Sequence, residues 1–197
     1  MTIKQAIKYS LIYILTILFG AFIAFKVWWT NGDARFLGII AFFLIGFGSL
    51  FLSISLTRII IPTKTDFSFS TLSDKKKYQI LKDTVGSTKV KIISASYISL
   101  FLILFAGTAY KLVTSLNKYE KDQLKTFGRL QKVRINDIHL KGKGTPYALF
   151  DFYLDGKKYS NDLNPKNYSI GDSATIIFST NNTDIVKWEE DYDKNNE

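Results

Sequence analysis

The stretch PYALFDFYLDGKKYSND (Pro146–Asp162) decides the fold of the C-terminal third of this chain. Its apolar side chains recur at every second position, which is the period of a β-strand with one buried face. The pair Asp155-Gly156 favours a two-residue type I′ turn, so KKYSND is the predicted returning strand. The residues expected to face the core are Ala148, Phe150, Phe152 and Leu154.

Two more strands are predicted after this hairpin. The segment SATIIFST follows Gly171-Asp172 and places Ala174, Ile176 and Phe178 on one face. The pair Asn181-Asn182 then turns the chain into a last short strand, DIVKW.

The segment RLQKVRINDIHL, upstream of the hairpin, is also strand-like, but its apolar phase is irregular. The phase slips between Leu130 and Val133 and again between Ile135 and Ile138. Such slips predict β-bulges, which bend the strands of small barrels. We therefore expect a small five-stranded β-barrel or curled sheet, SH3-like or OB-like, over residues 128–190.

The same segment resembles a domain of unknown function found in bacterial membrane proteins. That family combines a Gly-x-Val-like first strand, a Phe-x-x-Asp-Gly-Lys-x-Tyr hairpin and a Tyr-x-x-Gly-Asp ending. The matching residues are Gly128-Arg129-Leu130, Phe152, Asp155-Gly156-Lys157, Tyr159, Tyr168, Gly171-Asp172, Ile176 and Phe178. The family's closing Asn-Pro turn is replaced here by Asn181-Asn182-Thr183. The resemblance implies a membrane-tethered β domain in the bacterial cell envelope, and it transfers no catalytic residue.

The first part of the chain contains three long uncharged runs. They are 17, 22 and 19 residues long and lie between Lys8 and Lys26, Arg35 and Arg58, and Lys91 and Lys111. A helix of about 20 residues crosses a hydrocarbon core of about 30 Å. We predict a membrane domain over 1–116, with transmembrane helices at about 9–29, 36–58 and 92–112.

The net positive charge of the chain lies entirely within the predicted membrane domain. Residues 1–116 contain thirteen Lys/Arg and four Asp/Glu, whereas residues 117–197 contain thirteen of each. Lysine beside long apolar runs is typical of membrane loops, so we expect a lipid bilayer and no nucleic acid as partner. By the positive-inside rule, we expect the basic loop 62–91 and the N-terminus on the cytoplasmic side of a bacterial inner membrane. Three crossings then put the β domain outside the cytoplasm. The lysines that follow the third run oppose this orientation: Lys111, Lys118, Lys121 and Lys125.

The basic loop predicts a short helix between Ser73, a plausible N-cap, and Gly86. Tyr78, Leu81 and Val85 would form an apolar stripe opposite the lysines at 75–77. Two interpretations are open: an amphipathic helix on anionic headgroups, or a solvated turn of helix that serves as a topology signal. We favour the second.

Helical spacing of apolar residues continues past the third run, so residues 117–127 are predicted to form a stalk that ends at Gly128. The last residues, 191–197, are acidic and are expected to be disordered.

Little in the sequence points to catalysis or metal binding. The chain has no cysteine and a single histidine, which excludes multi-His and Cys-based metal sites within one chain. Asp137 and His139 are two residues apart in a strand and share a face, which makes them weak candidates for a general base. No nucleophile motif accompanies them, the KGKGT segment lacks the P-loop pattern, and no EF-hand spacing is present. We expect no cofactor.

The leading hypothesis is a non-catalytic membrane protein that presents its β domain outside the cytoplasm as an interaction or accessory module of an envelope complex. One alternative is an enzyme, or a membrane subunit of an enzyme, that uses His139 and Asp137. Another is a small channel or transporter component made by a homo-oligomer, for which Gly20/Ala24 and Ser49/Ser53 would supply helix contacts. No Asp, Glu or His lies within the spans, which argues against ion-coupled transport.

Overall fold

The computed structural model describes residues 3–28, 35–61, 71, 73–141 and 144–194. The chain forms two compact units, Met1–Thr114 and Ser115–Glu197. The helices are α1 (Ile3–Val27), α2 (Arg35–Ile60), α3 (Lys75–Val85), α4 (Ser87–Phe127) and α5 (Glu189–Lys194). The strands are β1 (Gly128–Lys141), β2 (Thr145–Leu154), β3 (Lys157–Leu163), β4 (Ser173–Ser179) and β5 (Val186–Trp188).

Three helices are long and apolar enough to cross a membrane: Lys4–Val27, Phe36–Ile60 and Ser87–Phe127. The prediction of three membrane helices followed by a small β domain is therefore confirmed. The first helix ends at Val27, before the predicted end at 29, and Trp29 lies outside the described residues.

Helices α1 and α2 pack with their backbones close together. A Cβ added at Gly20 would lie 2.9 Å from Leu44 Cβ, and one added at Gly48 would lie 2.6 Å from Ile17 Cγ1. Small residues permit such an approach between membrane helices. Gly20 therefore serves packing within the chain's own helices.

Helix α3 differs from the prediction at its start. Asp74, rather than Ser73, is the N-cap, and its carboxylate accepts the backbone N–H groups of Lys76 at 2.9 Å and Lys77 at 3.2 Å. A carboxylate also offsets the positive end of the helix dipole, which a serine hydroxyl does not. Gly86 ends the helix as expected, with φ +92°. The favoured interpretation as a solvated turn was wrong, because Leu81 is buried in an apolar cluster.

The five strands form a curled, half-open antiparallel sheet in the order β3-β2-β1-β4-β5. The first half of β1 pairs with β4 and the second half pairs with β2. The register shifts between Ile135 and Asp137, so the second predicted bulge is confirmed at Asn136. The first predicted bulge is wrong, because pairing runs unbroken from Gly128 to Arg134. The apparent slip there comes from Leu130, an apolar residue that is 54% exposed.

The central hairpin agrees with its prediction. Asp155 and Gly156 have φ values of 51° and 79°, both positive as a type I′ turn requires. The curled sheet encloses a core of buried residues from β1, β2, β4 and β5, against which Tyr159 and Leu163 of β3 pack. Its buried residues are Val133, Ile135, Ala148, Phe150, Phe152, Ala174, Ile176, Phe178, Val186 and Trp188.

The acidic C-terminus is more ordered than expected. Residues 191–194, predicted to be disordered, belong to helix α5, and 195–197 lie outside the described residues. The ammonium of Lys166 lies 2.6 Å from the carboxylate of Asp191 and 3.4 Å from that of Glu190. The Tyr168 hydroxyl donates to Glu190 at 2.8 Å. Acidic residues in the first turn of α5 also suit the helix dipole, which favours a helix over a disordered tail.

The junction between α4 and β1 contains no loop, since the helix ends at Phe127 and the strand begins at Gly128. A Cβ added at Gly128 would lie 2.0 Å from the carbonyl oxygen of Leu124 and 2.9 Å from Ile177 Cδ1. The Phe127 carbonyl accepts the N–H of Thr180 at 2.9 Å. The predicted end of the stalk at Gly128 is where the chain changes from helix to strand.

The last turns of α4 also bond to the sheet through side chains. Gln123 Oε1 accepts from the Ser179 hydroxyl at 3.0 Å and from Asn181 Nδ2 at 3.3 Å. Glu120 forms an ion pair with Lys187 of β5. Leu116 and Leu124 are almost fully buried. The end of the helix is thus part of the β unit's own structure.

The substitution Gly128→Ala should destabilise the second unit by about 2 kcal/mol, because an added methyl group overlaps a backbone carbonyl that cannot move independently. Thermal unfolding of the full-length protein in detergent can be followed by the fluorescence of Trp188 in a Trp28→Phe/Trp29→Phe background. Gly107→Ala is the matched control, since a Cβ there meets nothing within 4 Å. Equal melting temperatures for the two alanine variants would contradict the junction described here.

Candidate functional site

The candidate site is the face of β1, β2 and β3 that points away from the core, called the outer face below. The register places His139 opposite Tyr147 and Asp151 opposite Ser160 on this face. Its members are Asp137, His139, Tyr147, Leu149, Asp151, Tyr153, Lys158, Ser160 and Asp162. The alternation of β2 predicts that Tyr147, Leu149, Asp151 and Tyr153 point away from the core, and the structure confirms this.

Asp151 is the centre of a network across three strands. Its carboxylate accepts from Asn136 Nδ2 at 2.7 Å and from the Ser160 hydroxyl at 2.5 Å, and it lies 2.8 Å from the ammonium of Lys158. The hydrogen bond from Lys158, followed by that from Ser160, lowers the pKa of Asp151 below its ordinary value. The same contact raises the pKa of Lys158. The network therefore holds an ion pair at neutral pH.

The bulge explains how Asn136 joins this network. The register shift leaves Asn136 without a partner residue in the pairing of β1 with β2. Its side-chain amide is exposed and bonds to Asp151, fifteen residues later in the chain. A bulge in this position re-aims one side chain, which is a common role for bulges beside functional surfaces.

Asp137 and His139, the two candidates from the sequence, both lie on the outer face, but no hydrogen bond or ion pair joins them among the described residues. The Asp137 carboxylate accepts the backbone N–H of Ile138 at 2.8 Å. His139 Nε2 lies 3.6 Å from Asp162 Oδ2, beyond the normal hydrogen-bond range, with the imidazole side chain 33% exposed. The histidine thus has Asp162 of β3 as its neighbouring carboxylate, not Asp137.

These groups do not assemble into a nucleophile and base. Ser160 donates its hydroxyl to Asp151, and among the described residues no hydroxyl or amine is bonded to the imidazole of His139. Covalent catalysis requires a nucleophile within hydrogen-bond reach of its base. Across the described ranges, no group of three or more His, Asp or Glu side chains could hold a metal ion. The outer face carries a charged hydrogen-bond network centred on Asp151.

Among the described strands, β3 pairs with β2 alone and forms an open edge of the sheet. The N–H of Tyr153 bonds to Gln131 Oε1 of β1 at 3.3 Å, so it points away from β3. The Tyr153–Lys158 and Asp151–Ser160 pairs are therefore the non-hydrogen-bonded pairs of this ladder. It follows that the backbone groups of Lys158 and Ser160 point outwards, along the free edge of the sheet.

The next residue whose backbone points outwards along this edge is Asp162, and its N–H group already has a hydrogen-bond acceptor. The N–H of Asp162 bonds to Asn161 Oδ1 at 2.8 Å. The open part of the edge is thus the half near the hairpin turn, from Lys157 to Ser160. We refer to this part, residues 157–160, as the β3 edge.

Sequence reasoning missed both the Asp151 network and the β3 edge. The signal for the network was the alternation of β3, which puts Lys158 and Ser160 on the face of Asp151.

Comparisons of this chain with protein-family models, curated proteins and solved structures find no match.

The lowered pKa of Asp151 predicts a pH dependence. Its stabilising contribution is complete above the unfolded-state pKa of about 3.9 and is lost as the pH falls through the lower folded-state pKa. Asp151→Asn should reduce the free energy of unfolding at pH 7 by about 1 kcal/mol, the upper range for exposed ion pairs. The variant should also lose less stability than the wild type on acidification below about pH 4. Denaturant titrations that follow Trp188 fluorescence measure the free energy of unfolding at each pH. The control is Asp184→Asn, a substitution of an exposed aspartate. Identical unfolding curves for Asp151→Asn and Asp184→Asn would exclude the network as a stabilising element.

Proposed function

We propose that this chain is a non-catalytic protein of the bacterial inner membrane that presents its β domain outside the cytoplasm. In this proposal the domain is an interaction or accessory module of an envelope complex, and it is grouped with the membrane-tethered β domains of unknown function that its hairpin and Gly-Asp motifs resemble. The observation that supports it best is the β3 edge, which lies beside a charged outer face. The concentration of lysine in the membrane half supports the orientation.

The interior of the half-barrel favours recognition on the outside of the domain. Phe150, Phe152 and Phe178 are fully buried, and their rings pack with Trp188 and Tyr159. The Trp188 indole N–H donates to the Asn164 carbonyl at 2.7 Å. The concave side is thus filled by the domain's own side chains, so a partner would bind at the outer face or at an edge.

Strand addition is the binding mode that the β3 edge suits. An extended segment of a partner can pair with outward N–H and C=O groups at the edge of a sheet. Lysine on an edge opposes pairing between two copies of the same strand, because like charges would be brought opposite each other. Lys157 and Lys158 therefore favour a partner segment that contains acidic residues over a second copy of β3.

The test removes one outward N–H without breaking the sheet. In Ser160→Pro the lost N–H points away from β2, a position that proline tolerates on an edge strand. Ser160→Ala is the matched control, since it loses the same hydroxyl bond to Asp151 but keeps the N–H. A photo-cross-linking phenylalanine derivative at Tyr153, which is 54% exposed, reports on the partner in living cells.

We expect one protein adduct of defined mass with the native Ser160 and with Ser160→Ala, and its loss with Ser160→Pro. Trp188 fluorescence should show that both variants are folded. An adduct that persists at full yield in the proline variant would contradict edge pairing. The absence of any adduct in all three proteins would contradict the interaction module itself.

A further inference from the structure

Helix α3 and the start of α4 concentrate positive charge. Residues 73–91 contain six lysines and two aspartates. Both aspartates are engaged locally, since Asp74 caps α3 and Asp83 accepts from the Gln79 amide at 2.9 Å. Among the residues that the structure describes, none of the lysines forms an ion pair. They are Lys75, Lys76, Lys77, Lys82, Lys89 and Lys91.

The position of three of these lysines is unfavourable for an isolated helix. Lys75, Lys76 and Lys77 occupy the first turn of α3, which contains no acidic residue. The N-terminal end of a helix carries partial positive charge, so it attracts anions and repels lysine. Adjacent ammonium groups also repel one another. An external anion would relieve both repulsions.

Helix α3 packs against the C-terminal part of α2 and the start of α4. Leu81 is 3% exposed and packs in one cluster with Ile54 of α2 and Val90 of α4. The span Phe36–Ile60 has 25 residues, and at 1.5 Å per residue it measures about 37 Å, which exceeds a hydrocarbon core of about 30 Å. The part of α2 that follows Ile54 would then reach the headgroup region together with the first turn of α4, and Leu81 joins α3 to both helices next to it.

The two sides of α3 suit a membrane surface. Leu81 fixes the helix to α2 and α4, while the lysines of its first turn are exposed. Ile80 is 64% exposed, which suits the boundary between acyl chains and headgroups better than water. An amphipathic helix with lysine on its polar side and apolar side chains on the other is typical of binding to anionic lipid.

We propose that α3 and the first turn of α4 form a binding site for the headgroups of anionic phospholipids. The lipid phosphates would accept hydrogen bonds from the ammonium groups of Lys75, Lys76 and Lys77, and the start of α4 would contribute the charges of Lys89 and Lys91. This site belongs to the membrane unit and is independent of the β3 edge. It holds on either side of the membrane, so it does not depend on the orientation of the chain.

The test is a titration of the full-length protein, in neutral detergent, with short-chain phosphatidylglycerol, followed by isothermal titration calorimetry. Lysine near an anionic surface contributes about fivefold in affinity per residue. The triple variant Lys75→Gln/Lys76→Gln/Lys77→Gln should therefore bind about a hundredfold more weakly. The triple variant Lys118→Gln/Lys125→Gln/Lys132→Gln removes the same charge from exposed positions of the second unit and should bind as the wild type does.

Two further arms separate the lipid from other ligands. Short-chain phosphatidylcholine, which carries no net charge, should bind weakly to all three proteins, and soluble glycerol phosphate should bind more weakly than the lipid. Equal affinity of the wild type and the 75–77 variant for phosphatidylglycerol would overturn the proposal. So would an equal loss in the control variant, or glycerol phosphate binding as tightly as the lipid.

Discussion

The second unit depends on the close approach of three backbone segments at Gly128. The carbonyl of Leu124, the start of β1 and the side chain of Ile177 meet where a Cβ atom would have no room. Because of this contact the chain passes from helix to strand without a loop, and the first residue of the strand already pairs with Ser179 of β4. The register of β1 against β4 is therefore set at the end of the helix.

The consequences of this junction extend across the sheet. A domain of about sixty residues is near the lower limit for a stable core of its own. Here the last turns of α4 add to that core through buried leucines and bond to β4 and β5 through Gln123 and Glu120. From its fixed start, β1 continues past the bulge at Asn136 to pair with β2. The outer face and the β3 edge follow from that second pairing.

Local patterns were enough to predict the membrane helices and the five strands. The uncharged runs identified the three membrane helices, and the period of two in β2 and β4 identified the residues of the core. The type I′ turn followed from Asp155-Gly156 alone, because few pairs adopt two positive φ angles. These features depend on residues that are close together in the sequence.

Features that depend on distant residues were predicted less well. The phase slip between Leu130 and Val133 predicted a bulge, but the β1–β4 register is continuous there and Leu130 points outwards. The tail at 191–194 is helical because Lys166, twenty-five residues earlier, pairs with its carboxylates. The Asp151 network requires the register of three strands together, and no single segment reveals it.

The proposed function requires that the β domain lies outside the cytoplasm, whereas the lipid site proposed on α3 holds in either orientation. The chain has no cysteine, so single substitutions at Ser73→Cys and Lys157→Cys can be labelled separately with a membrane-impermeant thiol reagent. Intact cells are used, after permeabilisation of the outer membrane where one is present. The account predicts labelling at position 157 and none at position 73 until the inner membrane is opened. Labelling at 73 but not at 157 would contradict it, since the β domain would then lie in the cytoplasm.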